Sequence, residues 1–155
     1  MNQEAKELVR IAKTLLAKEF SSKEALLAYL KLHPKAKKEN HKVVEHNESA
    51  GWRNESEYNH EGKKHGKSID FDERGNKVNE TDYKDGLAHG KETTYHPSGN
   101  LRSEVPMVDG RHHGKMIGKH PNGETAYTGE YKQGKPVGKH ISYDRNGKKT
   151  DEKEY

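Results

Sequence analysis

The chain has 155 residues, of which 35% are charged and only 28% hydrophobic, a balance too polar for a thick globular core. With no cysteine, disulfides and cysteine-zinc sites are excluded and a cytoplasmic location is expected. The net charge of +4 is small and diffuse, which argues against direct nucleic-acid binding, a function that needs a concentrated basic face.

Residues 1–34 differ in kind from the rest. Leu8, Ile11, Ala12, Leu15 and Leu16 recur at helical spacing from Glu4 to Phe20, and no proline or glycine interrupts them. Lys13, Lys18 and Glu19 break this apolar run, so it is neither a signal peptide nor a membrane span, and no membrane insertion is expected. Ser21 and Glu24 form a capping box that opens a second helix. Leu26, Leu27, Tyr29 and Leu30 give that helix its apolar face, and Pro34 helps to stop it. The expectation is a helical hairpin that caps the rest of the chain or contacts a partner. Residues 35–42 form a basic linker.

From residue 43 onward the chain reads as β. Val43 and Val44, then Gly51, Trp52 and Tyr58, make a degenerate first repeat over 43–61, with Trp52 expected to be buried where helices meet sheet. Residues 62–155 then repeat every 24 positions. Gly62, Gly86, Gly110 and Gly134 share one phase, Gly66, Gly90, Gly114 and Gly138 a second, and Gly75, Gly99, Gly123 and Gly147 a third, so twelve of the fifteen glycines obey one rule. Phe71, Tyr95 and Tyr143 hold another phase, Tyr83, Tyr131 and Tyr155 a further one. Ser68 to Phe71 and Glu92 to Tyr95 alternate polar and bulky residues as half-buried strands do. Asn122-Gly123 and Asn146-Gly147 predict hairpin turns. The fold class is α+β, mainly β: an N-terminal helical hairpin followed by a single-layer antiparallel β-hairpin meander of about eight strands. With a two-residue turn at Arg74-Gly75, Lys67 faces Asp82, Lys115 faces Glu130 and Lys139 faces Glu154, making the lysine row one of cross-strand ion pairs.

The pattern Tyr83-Lys84-Asp85-Gly86-Leu87-Ala88-His89-Gly90-Lys91, followed by Tyr95 and Gly99, resembles MORN repeats, and more closely the bacterial MORN-variant repeats of YwqK-family proteins. The resemblance covers about residues 58 to 155. It implies a single-layer hairpin array of 24-residue MORN-like repeats, and many YwqK-like proteins are described as antitoxins that bind and neutralise a toxic protein. Eukaryotic MORN proteins are tied instead to membranes and scaffolding. Residues 1–34 also look like short helical pieces carried by phage and mobile-element proteins.

Catalysis is not expected. The periodic histidines lie one repeat apart, roughly 10 Å, too far to converge on one metal, and each is expected to pack over the glycine that follows it. His60 and His65 are five apart across a glycine, and residues 70–81 lack the ligands of a calcium loop. No catalytic residue, metal or cofactor is assigned. A partner site is sought where the repeat departs from its consensus. Met107 stands in the tyrosine phase, Lys119 in the aromatic phase, and Pro106 in place of an acidic residue. Val105, Met107, Val108, Arg111, His112, Met116 and Lys119 are accordingly expected to form one partner-binding patch, with repeat drift as the alternative. The expected function is a non-enzymatic module that binds and inhibits another protein, a toxin by the first resemblance. The alternatives are a phage or mobile-element inhibitor of a host defence nuclease, of anti-CRISPR type, and a membrane-surface scaffold.

Overall fold

Alternation at period two becomes one open sheet in the computed structural model, which describes residues 19–47 and 49–155, with Lys37, Lys38 and Asn47 described in backbone only. The strands are β1 (Glu19–Phe20), β2 (His41–Asn47), β3 (Trp52–Tyr58), β4 (Lys64–Phe71), β5 (Lys77–Lys84), β6 (Leu87–Tyr95), β7 (Leu101–Val108), β8 (Arg111–His112), β9 (Gly114–Lys119), β10 (Thr125–Lys132), β11 (Lys135–Tyr143) and β12 (Lys149–Glu154). They lie side by side in chain order with β8 beside β7, and only the β1–β2 pair is parallel. Consecutive strands joined by tight turns leave no other arrangement open.

Two turn types alternate. At Asp85-Gly86, Asp109-Gly110 and Gln133-Gly134 both residues have positive φ, 50° and 92° in the first case, the two-residue hairpin whose twist matches that of the strands. At the opposite edge the Gly75 amide donates to the Asp72 carbonyl and the Asp72 amide to that of Asn76. Arg74-Gly75 is therefore not a two-residue turn, but an irregularity at Phe71 opposite Lys77 absorbs the extra residue, and Lys67 still faces Asp82. The bulge glycines explain the tyrosine phase: Gly66 pairs with Tyr83, Gly90 with Met107 and Gly114 with Tyr131. A Cβ on Gly90, whose φ is 120°, would lie 2.9 Å from the Asp82 Cβ, so a large side chain can only come from the strand opposite.

The first predicted helix lies outside the described residues except at its end, where Glu19 and Phe20 are not helical but form β1. The second is α1 (Lys23–Leu32), capped one residue later than expected: the Ser22 hydroxyl accepts from the Ala25 amide at 3.2 Å, and Glu24 sits in the first turn. There its charge favours the helix N-terminus. Pro34–Lys38 continues as a 3-10 helix. Leu26 and Leu30 of α1 are buried against Phe20, Val43 and Tyr58 in the hydrophobic core. Trp52 is not part of that core. At 43% exposure it stands at the far end of β3, opposite Asn47.

The register defines two faces. On the helix face, Ser56 and Ser68 follow the core, both buried, their hydroxyls 2.8 Å apart and satisfied further by Asn54. The hydrogen bonds offset the desolvation of a polar interior. The opposite face, the ion-pair face, carries a row that crosses the sheet without a break: Glu55, Ile69, Glu80, Thr93, Glu104, Ile117, Thr128, Ile141 and Glu152.

Four of the histidines serve the joints between repeats. His65 pairs with Asp85 at 3.0 Å and His89 with Asp109 at 3.4 Å, instead of packing over the next glycine. His96 and His120 reach the carbonyls of Lys119 and Tyr143, each at 2.8 Å.

Candidate protein-binding surface

The seven residues singled out from the sequence do not form one patch. Val105, Met107, His112 and Met116 share the helix face, while Val108, Arg111 and Lys119 lie on the ion-pair face. Neighbouring positions on a strand point to opposite sides, so a run of unusual residues is divided by the pleat. Val105 and Met107 are moreover interior, at 2% and 6% exposure. Met107 fills the tyrosine position opposite Gly90 and is unavailable as a contact surface. Lys119 is engaged by the Thr125 hydroxyl at 3.0 Å.

The solvent-facing part of the set is the edge of the ion-pair face nearest the two-residue turns. Lys84 pairs with Leu87, Val108 with Arg111 and Lys132 with Lys135. All six are exposed, and Leu87 at 52% and Val108 at 38% leave apolar surface in water. The Leu87 Cδ2 lies 3.9 Å from where a Cβ on Gly110 would be, which puts it against the turn that follows Val108. No ion pair engages Lys84, Arg111, Lys132 or Lys135 among the described residues. Leu87, Lys84, Lys132 and Lys135 were missed because they keep the pattern of ordinary turn-flanking residues; only exposure singles them out.

Deeper in this face the lysine row makes ion pairs, mostly diagonal ones. Lys67 binds Glu80 as well as Asp82, Lys91 binds Glu104 at 3.0 Å, and Lys139 binds Glu152 at 3.0 Å. The Lys149 ammonium, and then that of Lys139, holds the Glu152 carboxyl down to about 2. Lys67 and then Lys77 lower Glu80 in the same way. The aromatic phase adds cation contacts, with the Arg53 guanidinium 4.1 Å above Phe71 and the Lys77 ammonium 5.4 Å from Tyr95. Lys115 is the exception: Thr128 occupies the carboxylate position, and a pocket of about 400 Å³ opens between Lys115, Ile117, Thr128, Glu130 and Lys139.

On the helix face a second feature escaped the sequence reading. The Nε2 of His140 lies 2.9 Å from the Glu130 carbonyl and must donate to it, so its Nδ1 accepts from the Tyr127 hydroxyl. Tyr131 lies 3.3 Å from that hydroxyl, and the rings of His112 and Tyr155 meet Tyr131 and His140 at 5.4 and 4.7 Å. Burial, followed by the Tyr131 hydrogen bond, pushes the Tyr127 phenol above its ordinary range. The signal available in the sequence was Gly129, one of two glycines, with Gly118, outside the repeat phases. A Cβ there would lie 2.6 Å from both the His140 Nδ1 and the Tyr127 hydroxyl.

Among the described residues no three histidine, aspartate or glutamate side chains come together to hold a metal, and no helix is long and apolar enough to cross a membrane. The described strands form one open sheet with an exposed basic and apolar edge. A family model described as a MORN repeat variant matches residues 88–109, the part of β6 and β7 that holds Gly90, Tyr95, Gly99 and Met107. The chain thus carries a MORN repeat variant, which points to a repeat module for protein or membrane binding. No curated protein matches the chain.

Proposed function

We propose that the chain is a non-catalytic cytoplasmic module that binds another protein through the edge formed by Leu87, Val108 and Arg111 with Lys84, Lys132 and Lys135. The observation that supports this reading is the exposed pair Leu87 and Val108 within a rim of unpaired cations, since apolar anchors ringed by polar residues are how interfaces are built. The module acts as an antitoxin-like inhibitor. That choice rests on the resemblance to YwqK-family repeats, which suggests a toxin as partner; the wording of residues 1–34 favours the alternative, a phage-borne inhibitor of a defence nuclease. Tagged protein and a Val108→Asp, Arg111→Glu variant should be compared in pull-downs from the native host. A stoichiometric protein captured only by the wild type, and whose growth inhibition is relieved by co-expression of the chain, is the expected result. Equal capture by both would refute the surface.

A membrane-surface role is the second reading, favoured by the same juxtaposition of basic and apolar side chains on one face. Flotation with anionic vesicles tests it, and retention of the V108D/R111E variant on vesicles would argue against this edge as the contact.

A further inference from the structure

The repeat supplies its own template for what is missing beside Lys115. In three repeats a lysine meets a glutamate thirteen positions on: Lys67 and Glu80, Lys91 and Glu104, Lys139 and Glu152. In the fourth, Lys115 meets Thr128, shorter and uncharged, and the pocket lies where the carboxylate would be. Lys115 has no ion pair among the described residues, although Glu130 is its register partner. Ile117, the register partner of Thr128, gives the pocket an apolar wall.

We propose that this pocket receives a glutamate side chain from a protein partner, its carboxylate taking beside Lys115 the place that Glu80, Glu104 and Glu152 hold in the other repeats. The glutamate methylenes lie against Ile117, which lines the pocket. With Lys139 already committed to Glu152 and Glu130 on the rim, a lone carboxylate is held weakly here and needs further contacts to bind. A side chain delivered by a docked protein gains from the cations Arg111 and Lys132 on the same face, which favour an acidic surface. The proposal rests on the protein-binding reading and deepens it.

The full chain, labelled with ¹⁵N, is titrated with the peptide acetyl-(Glu-Ala)₄-amide, and with acetyl-(Lys-Ala)₄-amide and glutarate as comparisons. Saturable shifts of the Lys115, Ile117 and Thr128 amides are expected with the acidic peptide alone. Binding should weaken at least tenfold in Lys115→Gln, where the cation is gone, and in Thr128→Glu, where the chain supplies the carboxylate itself. Thr128→Val, which keeps shape, should bind as wild type, and the same spectra report that each variant is folded. Shifts spread evenly over the face, glutarate binding as tightly as the peptide, Thr128→Glu binding undiminished, or binding to anionic vesicles but not to the peptide would each overturn the proposal. Loss of the pulled-down partner in V108D/R111E despite a silent peptide titration would leave the protein-binding reading standing and remove only the pocket.

Discussion

Gly129 and Gly118 lie diagonally on the paired strands β10 and β9, on the same face and neither at positive φ, yet alanine should have opposite effects at the two. At Gly129 the added Cβ would stand 2.6 Å from the His140 Nδ1 and the Tyr127 hydroxyl, so both side chains must move. That breaks their hydrogen bond, which contributes about 0.5–1.5 kcal/mol. Displacement of the buried His140 ring also strains its bond to the Glu130 carbonyl, and an unsatisfied buried donor costs about 1–3 kcal/mol. Against this, replacing glycine within a strand recovers about 0.5–1 kcal/mol. Gly129→Ala should therefore destabilise by about 1–3 kcal/mol. At Gly118 the Cβ would meet the Tyr127 Cβ at 3.4 Å, ordinary contact, so Gly118→Ala should be neutral or mildly stabilising. Urea unfolding followed by far-UV circular dichroism measures both. In a Tyr127→Phe background, where the clashing hydroxyl is absent, the Gly129→Ala penalty should shrink, and a double-mutant cycle gives the coupling. Equal stability of Gly129→Ala and the wild type would refute this account of the aromatic cluster.

Leu30→Ala removes a side chain at 2% exposure from the contact between α1 and the sheet, and should cost about 2–5 kcal/mol by the same urea assay; a loss under about 1 kcal/mol would mean that α1 does not cap the sheet. Gly110→Ala has room for its Cβ but must hold a φ of 77°, so a penalty of about 1–2 kcal/mol from backbone strain is expected, with the two-residue turn retained in amide exchange. The Glu152 carboxyl is held at about 2 against an ordinary 4.5. Its folded value lies below its unfolded one, so its contribution is present above the ordinary value and lost as pH falls towards the folded one. Melting midpoints of the wild type and Glu152→Gln should therefore converge as pH is lowered through that window, and parallel curves would contradict the ion pairs with Lys149 and Lys139.

Most of the β architecture was legible because it is written in local chemistry. Glycines at fixed offsets set the turns, alternation sets the strands, and consecutive hairpins leave little choice of topology. The register was legible for the same reason: the ladder at Lys67 and Asp82 depends only on where a turn closes, even though the turn itself is a three-residue loop with a compensating bulge. Ser22 against Ser21 as the cap, and Phe20 in a strand beside Val43, were decided by the packing of α1 on the sheet, which overrides local preference at element ends. The candidate site was the least legible part. Met107 is conspicuous in the sequence yet buried, whereas Leu87 is unremarkable and exposed, because exposure depends on what the neighbouring strands place around each side chain. Likewise, Thr128 looks like any strand residue until the register sets it opposite Ile117 and diagonal to Lys115. By itself, the sequence determined the strands of the repeats and their pairing partners, consequences of backbone conformation within a few residues. Only the tertiary structure decided which side chains meet water and which charges lack a partner, since both depend in large part on neighbours brought in on other strands.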